Sequence, residues 1–128
     1  MTTTTTTTTL AIVGSRSFSD YAMLKRKIDE FYPNEEGIIK LIVSGGAKGA
    51  DTMAERYALE NKIKMKRLRP NWRNEKGVYN PRAGFERNKE IVSCSDHVVA
   101  FWDNKSTGTR DSINHAKRLG KRLDVIIF

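Results

Sequence analysis

Residues 38–51 read Ile-Ile-Lys-Leu-Ile-Val-Ser-Gly-Gly-Ala-Lys-Gly-Ala-Asp. An apolar run of strand length gives way to a glycine-rich turn. Beyond the turn, Ala50, Met53, Ala54, Tyr57 and Ala58 recur at helical spacing. This is a strand–loop–helix unit. Its loop is of the kind that lets backbone N–H groups approach a phosphate at the positive end of a helix. The loop lacks the Gly-Lys-Ser/Thr ending of a P-loop, which argues against Mg-dependent nucleoside triphosphate hydrolysis. Ser44 also stands where a dinucleotide fingerprint would place its first glycine.

Working outward, the same alternation repeats. Residues 10–13 form a short apolar strand ending in Gly14, and Ser19 or Asp20 can cap a helix carrying Leu24, Ile28 and Phe31. Pro33-Asn34 ends that helix. Residues 38–43 make the second strand, and 63–68 alternate apolar with basic residues, as a strand near a sheet edge does. After a polar, irregular stretch over 70–79, Asn80-Pro81 suits the start of a helix running to residue 93. Residues 97–102 read as the fourth strand, 107–119 as a helix stopped by Gly120, and 123–127 as the last strand. Five strands alternating with four helices predict an α/β, Rossmann-like open parallel sheet covered by helices on both faces. Right-handed crossovers favour the order 3-2-1-4-5. Residues 1–9, nearly all threonine, are expected to be a disordered leader ahead of a single domain over 10–128.

Composition narrows the function classes. The 128 residues suit one domain, and the lone cysteine, Cys94, excludes an internal disulfide framework and fits a reducing cytoplasm. Cys94 and His97 are too few for a zinc site, and no metal or cofactor is expected. No apolar run approaches the ~20 residues needed to span a bilayer, so no membrane partner is expected. The net charge of +8 is uneven: residues 1–60 carry −1 and residues 61–128 carry +9. Such asymmetry points to an anion, either nucleic acid or a phosphorylated small molecule, or else to a solvated basic surface. The cluster of Lys62, Lys64, Lys66, Arg67 and Arg69 fits that last description. A homo-oligomer is compatible with everything the sequence contains.

In an open parallel sheet, ligands bind beyond the carboxyl ends of the strands, at the switch point between strands 1 and 4. The candidate binding residues cluster there. They are Gly14, Ser15 and Arg16 after strand 1; Ser44, Gly45, Gly46, Ala47, Lys48 and Asp51 after strand 2; and Ser106, Gly108 and Thr109 after strand 4. Asp51 can meet a ribose hydroxyl or act as a first-turn helix charge. The Ser106 segment can donate to the same anion or simply cap its helix. In the third helix Gly84, Arg87, Asn88 and Ile91 share one face, and Ile91 marks it as inward. A buried guanidinium needs a partner, so Arg87 should meet a ligand phosphate or an internal carboxylate. Trp72 either stacks on a base or packs its loop onto the sheet. His97, His115, Met23, Met53 and Met65 read as structural.

The motifs Val-Gly-Ser-Arg (13–16), Ser-Gly-Gly-Ala-Lys-Gly-Ala-Asp (44–51), Trp72, Ala-Gly (83–84), Arg-Asn (87–88), Ala-Phe-Trp-Asp (100–103) and Ser-x-Gly-Thr (106–109) occur in this order. In combination they resemble the SLOG superfamily, most closely its small stand-alone YspA-like branch. Relatives include the Lonely Guy phosphoribohydrolases and the DNA-processing protein DprA. The resemblance implies a Rossmann-like domain that binds a nucleotide, a nucleotide-derived ligand or single-stranded nucleic acid. It implies further that Gly45, Gly46, Gly108 and Thr109 hold phosphate with support from Arg87. The Lonely Guy motif has a catalytic glutamate three residues after its threonine. Here that position is Ser112, and the only nearby acid is Asp111. The expectation is therefore a binding or sensing domain. Cleavage of an N-glycosidic or phosphate bond is the alternative, with Asp51 or Asp111 as the carboxylate.

Overall fold

The structure is a computed structural model and describes residues 7–33, 38–45 and 48–128. Its elements follow in the order β1 (Thr8–Gly14), α1 (Tyr21–Phe31), β2 (Ile39–Ser44), α2 (Ala50–Glu60), β3 (Lys64–Arg67), α3 (Ala83–Ser93), β4 (His97–Trp102), α4 (Thr107–Arg118) and β5 (Arg122–Ile127). The strands form one parallel sheet in the order β3-β2-β1-β4-β5. The expected topology is the observed one. β1 lies at the centre, with Leu10 beside Ile42 on one side and His97 on the other.

Alternate residues of a strand face opposite sides of the sheet, so β1 feeds two cores. Leu10 and Ile12 pack with Phe18, Leu24, Ile28 and Tyr57 beneath α1 and α2. Ala11 and Val13 pack with Ile91, Val92, Ile113 and Ala116 beneath α3 and α4. Burial on both faces explains why β1 and β4 read as unbroken apolar runs rather than as alternating ones. The edge strand β3 is only four residues long and exposes Lys64, Lys66 and Arg67 while Met65 packs inward. A short, charged edge discourages pairing with another chain.

Two boundaries differ by more than one residue from those expected of the sequence. β1 reaches back to Thr8, because Thr9 is buried and its N–H is held by the Asp96 carboxylate at 2.9 Å. The β-branched threonines thus join the sheet where a partner is within reach. Residues 1–6 of the leader, and Asn34 after α1, lie outside the described residues. α3 begins at Ala83, without a side-chain cap. Asn80 instead closes a turn ahead of it, its Oδ1 accepting from the Arg82 N–H and its carbonyl from the Ala83 N–H. Asp20 does cap α1, accepting from the Met23 N–H at 3.0 Å.

Candidate functional site

β1 and β4 are neighbours, yet their following helices leave toward different faces of the sheet. The gap that opens beyond their carboxyl ends is a cavity of about 530 Å³. Val13 and Ile91 are its large apolar side chains, and three glycines and eleven polar or charged residues complete the lining.

The β1 loop enters first. Ser15 is buried; its N–H is held by the Phe101 carbonyl at 2.9 Å, and its Oγ accepts from the Asp103 N–H at 3.3 Å. This ties the ends of β1 and β4 together and leaves Arg16 and Ser17 exposed at the cavity. Gly14 permits the arrangement, since a Cβ there would lie 2.6 Å from both the Ala50 Cβ and the Phe101 carbonyl oxygen.

Arg87 enters from α3, half-buried. Its Nη1 donates to the Gly45 carbonyl at 3.1 Å and more weakly to that of Leu68 at 3.4 Å. Its Nε donates to the Asn88 Oδ1 at 3.0 Å. Burial pushes the guanidinium below its ordinary range, while the nearby Asp51 carboxylate opposes this and Arg16 adds to it. The guanidinium stays charged in any case. The sequence offered Arg87 a phosphate or an internal carboxylate. The internal partners are chiefly backbone carbonyls, with the Asp51 charge close by.

Asn88 is buried and joins α3 to α4, its Nδ2 lying 3.3 Å from both the Gly108 carbonyl and the Asp111 Oδ2. At the start of α4, the Ser106 Oγ caps by accepting from the Thr109 N–H, 3.4 Å away. The Asp103 carboxylate accepts from the Lys105 and Ser106 N–H groups at 2.9 and 2.8 Å. Those backbone donors, Ser106 foremost, hold Asp103 below the usual carboxylate range. Four helix N-termini lie at this end of the sheet, and that of α1 is capped by Asp20. α2 and α3 carry Asp51 and Glu86 in their first turns, whereas α4 carries no acid there. The carboxylate nearest its positive end is Asp103, just ahead of the helix.

Of the residues singled out in the sequence, Gly14, Ser15, Arg16, Gly45, Asp51, Arg87, Asn88, Ser106, Gly108 and Thr109 line this one cavity. Four others do not. Ser44 is buried in β2, Lys48 is exposed, and Trp72 lies outside the cavity, stacked on Tyr79. Asp111 faces the α3–α4 contact, between Asn88 and His115, whose Nε2 is 3.4 Å away. Gly46 and Ala47 lie outside the described residues. Asp103, Ser17 and Ser112, not among the expected binding residues, also line the cavity, as does Thr107 of the 106–109 segment. For Asp103 a signal existed: an aspartate ending a buried strand three residues before a helix cap is placed to organise the turn between them. Ser112, at the position of the Lonely Guy glutamate, is buried and donates to the Gly108 carbonyl at 3.3 Å.

A family model described as YAcAr, the YspA, cpYpsA-related SLOG family, matches residues 8–74. The chain belongs to this SLOG family. Gene 61 protein of Mycobacterium phage D29 is 32% identical over 120 residues, covering 91% of this chain and 93% of the phage protein. Among solved structures, DNA processing protein A of Streptococcus pneumoniae superposes with a TM-score of 0.73 at 22% identity. That match covers 93% of this chain and 50% of the larger protein. DNA processing protein A of Helicobacter pylori, which binds single-stranded DNA, gives a TM-score of 0.62 at 22% identity, over 94% of this chain and 65% of its own. This SLOG chain thus spans half to two-thirds of those proteins and shares their Rossmann-like fold. Among its described residues, no helix is long and apolar enough to cross a membrane.

Proposed function

We propose that the cavity beyond β1 and β4 binds a nucleotide or a nucleotide-derived small molecule as a sensing or binding domain. One observation carries the reading: two arginines, Arg16 and Arg87, and the α4 N-terminus line a single cavity whose side chains are mostly polar or charged. Its volume, about 530 Å³, falls within the range of ordinary small-molecule sites. A phosphate would sit at the Ser106–Thr109 turn, where backbone N–H groups and hydroxyls converge, with Arg87 adding charge. Asp51 and Asp103, acceptors only when ionised, suit sugar hydroxyls. Membership of the SLOG family supports the same class of ligand.

The test is a thermal-shift series with AMP, ADP-ribose, NAD and cyclic nucleotides on wild type and Arg87→Lys. At least one ligand should raise Tm in wild type, and the lysine variant should lose most of that rise, because an ammonium cannot reproduce the guanidinium fork. Absence of any shift across the series rejects the reading.

A second reading rests on Asp51, a carboxylate inside the same cavity. There it would orient water or stabilise positive charge on a sugar during N-glycosidic or phosphate-bond cleavage. Chromatography of nucleotides incubated with wild type and Asp51→Asn decides it. Product formed by wild type alone supports hydrolysis, and identical traces without product remove it.

A further inference from the structure

Outside the cavity, residues 72–80 fold back on themselves. Arg73 and Tyr79 form an antiparallel bridge, and the Asn80 N–H donates to the Trp72 carbonyl at 2.6 Å. The Asn74 side chain closes the tip, its Oδ1 accepting from the Lys76 and Val78 N–H groups, both at 2.9 Å. The Arg73 Nη1 braces the tip from the side through the Gly77 carbonyl at 3.0 Å. The loop is therefore held largely by its own hydrogen bonds. Trp72, Val78 and Tyr79 are nevertheless 45%, 58% and 56% exposed. Phe85, on the adjoining α3, is 51% exposed.

Trp72 and Tyr79 lie nearly parallel, 16° apart with ring centroids 6.1 Å from each other. The Arg73 guanidinium is 5.9 Å from the Tyr79 ring centre. The Trp72 ring edge lies 3.4 Å from where a Cβ on Gly84 would stand, so the platform rests on the first turn of α3. Arg87 of the cavity is three residues further along, about 4.5 Å by helix rise. Residues 69–89 carry six basic and two acidic side chains, a net of +4. Aligned, exposed aromatic rings on a basic surface match what unpaired bases and their phosphates require: π-faces to stack on and cations along the backbone. An apolar protein surface would leave the surrounding cations without counter-charges.

We propose that the Trp72–Tyr79 pair is a stacking platform for the bases of single-stranded nucleic acid, distinct from the cavity. A strand running over it places a base on the rings and a phosphate against Arg73. The platform and the cavity can therefore fail separately.

Fluorescence anisotropy with labelled oligothymidylates of about 4 to 16 nucleotides, at ~50 mM salt, tests this. Trp72→Ala should weaken binding about tenfold or more, Trp72→Phe should retain most of it, and Arg73→Glu should weaken it in a salt-dependent way. Tyr79→Ala provides the same reading if Trp72→Ala folds poorly. In parallel, Trp72→Ala should leave any AMP-induced thermal shift intact, whereas Arg87→Lys should reduce that shift and leave the oligonucleotide's dependence on Trp72 in place. Wild type that does not bind oligonucleotide, or binding that ignores both aromatic substitutions, overturns the proposal. So does an AMP shift lost with Trp72, which would make the rings part of the cavity's own ligand site. A dimeric wild type turned monomeric by Trp72→Ala would make the patch a self-association surface and overturn it equally.

Discussion

The Arg87 guanidinium occupies the space that a side chain at Gly45 would need: a Cβ there would collide with Nη1 and lie 2.9 Å from Cζ. The same Nη1 donates to the Gly45 carbonyl. Position 45 is thus a glycine because an arginine from another element passes over it, and the glycine in turn sets where that arginine ends. Gly45→Ala should therefore move Arg87 rather than unfold the sheet, because the end of a long side chain gives way more easily than backbone does. The expected stability cost is about 1 kcal/mol, at the low end of overpacking. The ligand-induced thermal shift should fall as far as in Arg87→Lys. Denaturant melts and ligand titrations on both variants check this. A Gly45→Ala protein that binds normally would disconnect the two residues.

Gly108 presents the opposite case. It sits in the first turn of α4, its φ is not positive, and a Cβ there would meet nothing within 4 Å. Helix propensity disfavours glycine at such a place by up to roughly 1 kcal/mol. Folding supplies no reason for it, whereas a ligand approaching the helix backbone does, since Gly108 lines the cavity. Gly108→Ala should raise Tm by about 2 °C while weakening ligand binding about tenfold. Stability and affinity moving in opposite directions is the signature. If both stay unchanged, no ligand group comes close to this backbone.

Asn88 couples the two helices that flank the cavity. Its amide reaches the Gly108 carbonyl and Asp111, and its Oδ1 accepts from the Arg87 Nε. Asn88→Ala leaves these groups without that partner in a buried place, at a cost of about 1–3 kcal/mol. It also frees Arg87 to leave the cavity. Urea denaturation should show a lower midpoint with an unchanged slope, and ligand affinity should drop as well. Stability lost with affinity retained would make Asn88 a helix clamp without a part in the site.

How much of this the sequence contained depends on where each interaction is made. The strand order was legible because buried parallel strands are apolar throughout and alternate with helices of clear period. Arg87 was legible because Ile91, one turn on, declares the face. Its partners were not, since the carbonyls of Gly45 and Leu68 are backbone groups that no residue type announces. Asp111 and Ser112 show the same limit at one-residue resolution. Both follow the Ser-x-Gly-Thr motif, but neighbours on a helix differ by about 100° in direction, and only Ser112 turns to the cavity. Trp72 stands out in the sequence as a candidate binding residue, yet its position outside the cavity depends on a loop whose turn is made by the Asn74 side chain.

The far end of the sheet supplies a pH dependence. The buried His97 ring sits between the Tyr32 hydroxyl, 2.6 Å from Nδ1, and the Asp124 carboxylate, 2.7 Å from Nε2. A neutral ring protonated on Nε2 suits both, donating to Asp124 and accepting from Tyr32. Burial is the largest influence and pushes the imidazole below its ordinary pKa; Arg122 acts in the same direction, and the Asp124 hydrogen bond opposes it. The unfolded chain therefore takes up a proton near pH 6.5, before the folded chain does. The stability attributable to neutral His97 is fully present above pH 6.5 and is lost as pH falls through the lower folded value. Wild type should melt at a lower temperature at pH 5.5 than at pH 7.5, a window that avoids most carboxylate titration. His97→Asn should be less stable at both pH values, but with a smaller difference between them. Equal pH differences in the two proteins would place the dependence elsewhere.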